Sequence, residues 1–149
     1  MAEFRERPYV QFNFLVDLGD GRTTGPQAGF QEASGFGTEV TVVEYRNGNE
    51  QENGVRKITG LNKTSDVTLK RGLIGALTLY QWLNQIRNGD QAAFRDVTVQ
   101  LLSESRQPVM TWKLRRARMT RYTSGPFNAK GTDVAMEEMV LAYERLEIE

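Results

Sequence analysis

The chain opens with an alternation of apolar and polar positions that runs from Tyr9 to Leu18. A period of two residues is typical of a strand that packs one face on a core and exposes the other face to solvent. The sequence Gly19-Asp20-Gly21 then predicts the turn that ends this strand. The apolar face of the strand carries Val10, Phe12, Phe14, Val16 and Leu18.

A second strand is predicted from Thr38 to Arg46, but here apolar residues fall on both faces, with Val42 on one and Val43 on the other. We expect one face to meet the core and the other to meet something else. The polar segment from Arg46 to Gly60 follows, and its roughly 15 residues are many for a simple connection inside a compact domain. It is interpreted as an extended loop of the kind that usually has a function or lacks order.

A third strand is predicted from Ser65 to Arg71, with Val67 and Leu69 facing inward. The apolar period then lengthens to about 3.6 residues, which indicates one helix from about Thr78 to Asn88. Thr78 and Gln81 fit a capping box at its start, and the glycine after Asn88 is a stop signal. The apolar stripe of the helix is formed by Leu79, Leu83 and Ile86, with Trp82 beside it.

Further strands complete the pattern. The segments from Arg95 to Glu104 and from Val109 to Thr123 are predicted to pair as a hairpin, and Thr132 to Glu149 again carries apolar residues on both faces. About six or seven strands with one helix favour a mainly β fold, an antiparallel β-barrel or sandwich with one flanking α-helix. At 149 residues the chain is interpreted as a single domain, 1–149.

Composition bears on function more than on fold. The chain has no cysteine and no histidine, so thiolate chemistry is excluded and the usual general base near neutral pH is missing. No glycine motif completes a phosphate-binding loop, and the adjacent Glu137 and Glu138 must point to opposite faces of a strand, so they cannot act on one bond. We therefore predict no enzyme activity, no catalytic residues, no cofactor and no metal site.

The 19 basic and 19 acidic residues give a formal net charge of zero, which provides no overall field to attract nucleic acid or an anionic membrane. A local basic run near Trp112 could form a track for single-stranded nucleic acid. The acidic end of the chain offers the favoured alternative, through cross-strand ion pairs or contacts between subunits. The basic run is Lys113, Arg115, Arg116, Arg118 and Arg121, and the acidic set is Glu137, Glu138, Glu144, Glu147 and Glu149.

The segment from Met1 to Val10 carries charges where a signal peptide would need an apolar core, and no apolar run approaches the ~20 residues of a membrane span. We expect a soluble chain made in the cytoplasm. Apolar residues on both faces of several strands exceed what one small core needs. A large interface between subunits accounts for them, and a helix laid across a closed barrel would also cover some second faces.

Short segments along nearly the whole chain form a recognisable series, although each alone is only a turn or strand signature. The earlier ones are Pro8-Tyr9, Phe12-Asn13-Phe14-Leu15-Val16, Ala28-Gly29-Phe30, Ser34-Gly35-Phe36-Gly37, Val43-Glu44-Tyr45-Arg46 and Gly48-Asn49. The later ones are Arg56-Lys57-Ile58-Thr59-Gly60-Leu61, Asp66-Val67-Thr68-Leu69-Lys70-Arg71-Gly72, Leu79-Tyr80-Gln81-Trp82, Trp112-Lys113-Leu114, Phe127-Asn128-Ala129-Lys130-Gly131 and Val134-Ala135-Met136-Glu137. In this order and spacing they resemble the tail-tube family of contractile phages and extracellular contractile injection systems.

The resemblance implies the small β-barrel or sandwich that this family shares with the type VI secretion tube protein. It implies a structural subunit whose hexameric rings stack into a hollow tube, which a contractile sheath drives through a target envelope to deliver cargo. The implied partners are further copies of the chain, the sheath protein, baseplate or hub and tube-initiator proteins, a tail-terminator cap, and a tape-measure protein or effector cargo in the lumen. It implies assembly in the bacterial cytoplasm, in a particle that is released or stays cell-associated, with no membrane insertion and no specific nucleic-acid binding.

The resemblance also implies that segment 46–60 corresponds to the family's extended loop, which reaches neighbouring subunits and the next ring. The two-faced strands would then join across subunits into a continuous wall. The candidate contact residues between subunits are Arg46, Asn47, Asn49, Glu50, Glu52, Val55, Arg56, Lys57, Ile58, Arg116, Arg118, Glu138 and Glu144.

Two alternatives stay open beside the main tube subunit. One is a tube-initiator paralogue at the baseplate, which segments 46–60 and 126–132 do not distinguish from the repeating subunit. The other is a monomeric binding module that uses the basic strand or the long loop. An enzyme that relies on carboxylates, serine or lysine ranks last, and the sequence does not choose among a phage, a bacteriocin and an injection system.

Overall fold

The computed structural model describes residues 2–21 and 23–149, and within them the chain is mainly β with one α-helix. The predicted fold class is confirmed. Two short 3₁₀ turns, Pro26–Ala28 and Gln91–Ala93, lie in the connections. The regular elements are β1 (Phe14–Asp17), β2 (Glu32–Ser34), β3 (Thr38–Tyr45), β4 (Arg56–Thr64), β5 (Val67–Gly72), α1 (Thr78–Arg87), β6 (Arg95–Leu102), β7 (Pro108–Ser124), β8 (Met136–Ala142) and β9 (Arg145–Ile148).

Seven of these strands form one antiparallel sheet in the order β1-β6-β7-β8-β5-β2, with β9 paired to β7. The predicted hairpin of β6 and β7 is confirmed by a register that sets Val99 against Trp112. β3 and β4 pair only with each other, as a separate two-stranded sheet. The strand order therefore ends in β1 and β2, β9 is a further edge strand beside β7, and the β3–β4 hairpin lies outside the main sheet.

The core lies between this sheet and α1. Val67 and Leu69 are buried as predicted, and α1 contributes Leu79 and Trp82. The indole nitrogen of Trp82 donates a 2.6 Å hydrogen bond to the Ala93 carbonyl, which anchors the helix beside β6. The other buried core members include Val16, Val97, Val99, Leu114, Ala117, Met119, Met139, Leu141 and Tyr143.

A bend in β7 organises the sheet. Arg116 has a φ of 53°, in the left-handed region that is uncommon for a residue other than glycine, asparagine or aspartate. The carboxylate of Asp96 accepts a 3.0 Å hydrogen bond from the Arg116 backbone N–H and so supports this conformation. The 17-residue strand thereby pairs with β6 and β9 before the bend and with β8 after it.

Several predicted bounds differ from the structure. The first strand begins only at Phe14, and Phe12 is 71% exposed although the alternation placed it on the core face. The predicted last strand is divided into β8 and β9, since the partner strand must break where β7 bends. The capping box does not form, because α1 starts after Leu77 with no side-chain cap. The Thr78 hydroxyl is 3.5 Å from an Arg71 nitrogen instead.

A buried ion pair joins β5 and β8. The guanidinium of Arg71 donates to the carboxylate of Glu137, and both side chains are 1% exposed. Tyr122 on β7 donates its hydroxyl to the other Glu137 oxygen, and Arg71 also donates to the Gln27 carbonyl at 2.6 Å. Burial, and then the hydrogen bond to Glu137, raises the pKa of Tyr122, so this hydroxyl stays protonated and keeps donating.

Replacement of Arg71 tests how strongly this network stabilises the fold. In dilute solution Arg71→Met should lower the free energy of unfolding by about 3–5 kcal/mol, because it leaves a buried carboxylate without its cation. The double variant Arg71→Met/Glu137→Leu should recover part of that loss. Urea unfolding followed by tryptophan fluorescence measures the free energy of unfolding of the unaltered protein, the single variant and the double variant.

The neighbouring residue supplies a matched control. Lys70 pairs with Glu32 at 3.7 Å on the surface, so Lys70→Met should change the free energy of unfolding by less than about 1 kcal/mol. Equal losses for Arg71→Met and Lys70→Met would contradict the importance of the buried pair.

Candidate assembly interface

The β3–β4 hairpin is exposed along almost its whole length. Every residue of β3 and all of β4 except Thr64 are exposed. The expectation that one face of the strand from Thr38 meets the core is therefore wrong, because the core is filled by the main sheet and α1 and both hairpin faces lie outside it. Within residues 2–21 and 23–149, no strand outside the hairpin pairs with it.

Both faces of this hairpin carry large apolar side chains. They are 47–81% exposed, with Val55 at the lower limit and Leu61 at the upper. Monomeric proteins rarely expose apolar patches larger than a few hundred Å², and larger ones mark interaction sites. The cross-strand register places Val43, Tyr45 and Ile58 on one face, and Val40, Val42 and the opposed charges of Glu44 and Lys57 on the other.

The tip of the hairpin is an ordered turn. The Arg46 guanidinium donates to the backbone carbonyls of Glu50 and Glu52 at 2.9 and 3.1 Å. The Glu50 carboxylate accepts a 3.3 Å hydrogen bond from the Asn47 amide and pairs with Arg56 at 3.1 Å. These contacts hold the two strand ends together and turn the remaining tip residues outward.

The predicted contact residues fall into separate groups, and the first group lies in segment 46–60. The segment predicted as an extended loop is a loop only over residues 46–55, and its last five residues belong to β4. Arg46, Asn47 and Glu50 are half-buried by their contacts within the tip. The exposed members of this group are Asn49, Glu52, Val55, Arg56, Lys57 and Ile58.

Sequence reasoning missed the apolar part of the hairpin surface. Its candidate residues come mainly from the polar segment, whereas the structure exposes apolar side chains on both strands beside it. The two-faced pattern from Thr38 to Arg46 is the available signal for Val40, Val42, Val43 and Tyr45, but its interpretation as half core leaves them out of the predicted contacts. Leu61 lies beyond this pattern and is also missing from them.

The basic run of β7 lies against the acidic end of the chain, as predicted. Lys113 pairs with Glu149 at 2.9 Å and Arg115 with Glu147 at 3.0 Å, across the β7–β9 ladder. The hydrogen bond from Lys113 lowers the pKa of Glu149. These pairs are exposed to solvent, which screens them, so they contribute little to stability. Together with the pairs that Arg116 and Arg118 make to Glu144, they engage four of the five cations of the basic run.

Three of the predicted contact residues form a second cluster at the bend of β7. Arg116 and Arg118 both pair with Glu144, at 3.4 and 3.0 Å, and both guanidinium groups lie over the ring of Phe94. The hydrogen bond from the Arg116 N–H, followed by that from Arg115, lowers the pKa of Asp96. These intramolecular pairs leave less charge available for a neighbour.

The remaining predicted contact residue, Glu138, lies apart from both groups. It is half-buried on β8, where its register partners are Lys70 on β5 and Thr123 on β7.

No group of three or more acidic side chains in residues 2–21 and 23–149 is placed to hold a metal ion. A cavity of about 660 Å³ between β1 and β2 is lined mainly by aromatic and amide side chains with one carboxylate, Glu32. None of the described helices is long and apolar enough to cross a membrane.

The N-terminal segment is tied to the β6–β7 turn through Arg5. Its guanidinium binds both oxygens of Glu104, at 2.8 and 2.9 Å, and lies 3.8 Å from the centre of the Tyr9 ring. Glu3 adds a backbone hydrogen bond to Val109 at 2.8 Å. The Arg5 contact lowers the pKa of Glu104 to about 2.

The family model for the T4-like virus tail tube protein gp19 matches residues 10–147. The chain belongs to this tail-tube family. A comparison with curated proteins gave no match. The family is a structural component of tails and not an enzyme family.

Solved structures show the same likeness. The chain is 29% identical to a chain of the PVC sheath-tube complex in the extended state, with a TM-score of 0.82 and coverage of 97% of this chain and 93% of that one. It is 26% identical to a chain of the anti-feeding prophage cap, with a TM-score of 0.83 and coverage of 100% and 95%. Hcp1 from Flavobacterium johnsoniae, 10% identical with a TM-score of 0.55 and coverage of 91% and 93%, shares the fold.

The Arg5–Glu104 pair of this tail-tube chain gives a prediction on pH. Because the folded pKa of Glu104 is depressed from 4.5 to about 2, the contact contributes fully above about pH 4.5 and is lost as the pH falls through 2. Arg5→Ala should return the Glu104 pKa toward its ordinary value. An NMR titration of the side-chain carboxyl carbon measures this, and Arg7→Ala should shift that pKa far less. Similar shifts for both variants would contradict the assignment.

Proposed function

We propose that this chain is the repeating subunit of the inner tube of a contractile injection particle, in which hexameric rings stack into a hollow conduit. Sheath contraction would drive the conduit through a target envelope to deliver cargo. The observation that carries the proposal is the β3–β4 hairpin, which exposes apolar residues on both faces and pairs with no other strand of the described chain. Family membership supplies the type of assembly that would cover it.

The energetics of the hairpin favour self-association. An isolated two-stranded hairpin is at best marginally stable in water. Full burial of a valine or isoleucine side chain stabilises by about 1.5–3 kcal/mol, and about half of the surface of Val43 and Ile58 is still exposed in the single chain. A neighbouring copy that covers several such side chains would gain enough free energy to order the hairpin and to associate.

The remaining partners follow from the assemblies in which the similar chains occur. Those chains come from a sheath-tube complex, a baseplate and a terminating cap. These assemblies support the sheath protein, a baseplate protein and a terminator cap as proposed neighbours. The resemblance to the family adds a tube-initiator protein, and a tape-measure protein or effector in the lumen, to the proposal. Assembly would take place in the bacterial cytoplasm, before the particle is released or stays with the cell.

The tube-initiator alternative is not favoured. The likeness extends with nearly equal TM-scores over sheath-tube, baseplate and cap structures, so it does not single out a position at the baseplate. A monomeric binding module would leave the hairpin uncovered. The basic run of β7 that such a module would use is already paired, for the most part, with acidic residues at the end of the chain. The repeating subunit accounts for both features.

A substitution on the hairpin tests this function. Ile58→Lys places a charge on the apolar face, so we expect sedimentation velocity to show monomers at concentrations where the unaltered protein forms rings or filaments. Loss of even about 1.4 kcal/mol per contact raises the required concentration tenfold. Ile148→Lys on β9 is the matched control, because both isoleucines are 51% exposed, and it should assemble normally.

Circular dichroism should show that both lysine variants remain folded, because neither side chain belongs to the core. Normal assembly of Ile58→Lys would contradict the role of the hairpin face. A protein that stays monomeric without any substitution would contradict the tube subunit itself.

A further inference from the structure

The chain contains three steps from asparagine to glycine, at Asn47, Asn53 and Asn88. In such a step the backbone nitrogen of the glycine can attack the side-chain amide carbon of the asparagine, because glycine places no side chain in the way and has a freely adjustable backbone. Asparagine is accordingly counted among the thermolabile residues of proteins. The dipeptide alone does not distinguish the three steps, so a difference between them has to come from the fold.

The side chain of Asn47 is held at both ends of its amide group. The amide nitrogen donates a 3.3 Å hydrogen bond to the Glu50 carboxylate, and the amide oxygen accepts a hydrogen bond from the Tyr45 hydroxyl. The Asn47 backbone carbonyl also accepts from the Glu50 N–H at 3.2 Å. The amide has to leave its side-chain contacts before its carbon can be attacked, and breaking them costs free energy. Asn47 is therefore protected at the group that would be attacked.

Asn88 is protected at the attacking group instead. It is the residue that ends α1, and its own N–H donates to the Asn84 carbonyl at 3.2 Å. The N–H of Gly89 donates to the Ile86 carbonyl at 3.0 Å. A nitrogen engaged in this way has to give up its hydrogen bond before it can lose its proton and attack.

Asn53 lies in a short stretch of the hairpin tip that has neither kind of protection. The anchored part of the tip ends at Glu52, whose carbonyl accepts from Arg46 at 3.1 Å, and β4 begins only at Arg56. In the described part of the chain, Asn53 and Gly54 are both exposed and neither has a hydrogen-bond partner. A Cβ at Gly54 would meet no other atom within 4 Å, so the space beside the attacking nitrogen is open.

We propose that Asn53 is a site of spontaneous deamidation in the folded chain, and that Asn47 and Asn88 are protected from it. The Gly54 nitrogen forms a bond to Cγ of Asn53 and passes its proton through solvent to the side-chain amide group, which leaves as ammonia. The cyclic succinimide then takes up one water and opens at either carbonyl, which gives aspartate or isoaspartate. The reaction consumes water, releases ammonia and needs no oxidant or cofactor. It concerns the single chain and is independent of the proposed tube function.

The reaction changes the charge of the hairpin tip. In segment 46–56 the two arginines, Arg46 and Arg56, cancel the two glutamates, Glu50 and Glu52. A carboxylate at position 53 therefore leaves this segment with one net negative charge. The isoaspartate product also inserts a methylene group into the backbone and so lengthens the connection into β4.

Peptide mass spectrometry of the folded protein, kept dilute at mildly alkaline pH, measures the loss of each asparagine with time. Fragment ions separate Asn47 from Asn53, because both lie in the tryptic peptide 47–56. Asn53 should react at least about tenfold faster than Asn47 or Asn88, a ratio that corresponds to about 1.4 kcal/mol of activation free energy. Equal rates in the folded protein, or a faster reaction at Asn47 or Asn88, would overturn the proposal.

The unfolded chain is the control for the structural explanation. In concentrated urea the protecting hydrogen bonds are lost, so the rates at Asn47, Asn53 and Asn88 should agree within about threefold. A tenfold preference for Asn53 that persists in urea would overturn the proposal, because the difference would then come from the sequence and not from the fold.

Two substitutions test the chemistry within the folded protein. Gly54→Ala should slow the reaction at Asn53 at least about tenfold, because a methyl group beside the attacking nitrogen hinders its approach. Tyr45→Phe removes one of the contacts of Asn47 and should raise the rate at Asn47 severalfold. Tyr80→Phe is the matched control, since Tyr45 is 49% and Tyr80 is 44% exposed, and it should leave the rate at Asn47 unchanged.

Circular dichroism should show that these variants remain folded, because all three substituted residues are exposed. An unchanged rate at Asn53 in Gly54→Ala would contradict attack by the Gly54 nitrogen. Equal rates at Asn47 in Tyr45→Phe and Tyr80→Phe would contradict its protection by the Tyr45 hydroxyl.

Discussion

The apolar faces of the β3–β4 hairpin have no core of their own to enter, and the rest of the structure is arranged around that constraint. The core space is occupied by the main sheet and by α1, with Trp82 and Leu79 buried against it. The hairpin is left as a projecting arm of two strands with exposed valines and isoleucine. In the proposed tube a second copy of the chain would cover this arm.

The body of the protein supplies a rigid support for this arm. The long strand β7 bends at Arg116, where the Asp96 carboxylate accepts a hydrogen bond from the backbone N–H. Because of this bend, β7 pairs with strands in both halves of the sheet. The buried Arg71–Glu137 pair joins two central strands to the segment at Gln27. Because breaking a buried pair is costly, this network holds these parts of the body together.

Local patterns predicted much of the fold, and long-range contacts account for the rest. Val67 and Leu69 faced inward and the helix lay within one residue of its predicted span, because both follow from periodicity within a few residues. The burial of Arg71 was not predictable, since it depends on Glu137, 66 residues away. The pattern at Val42 and Val43 showed two apolar faces but not that both lie outside the core, which is decided by how the other strands fill it.

Electron microscopy of the unaltered protein at high concentration tests the central claim most directly. The account predicts hollow rings or stacked tubes with sixfold symmetry about the channel, built from copies joined through the β3–β4 hairpin. A folded monomer that forms no ring or tube at any concentration would contradict it, because the exposed hairpin would then have no subunit to cover it.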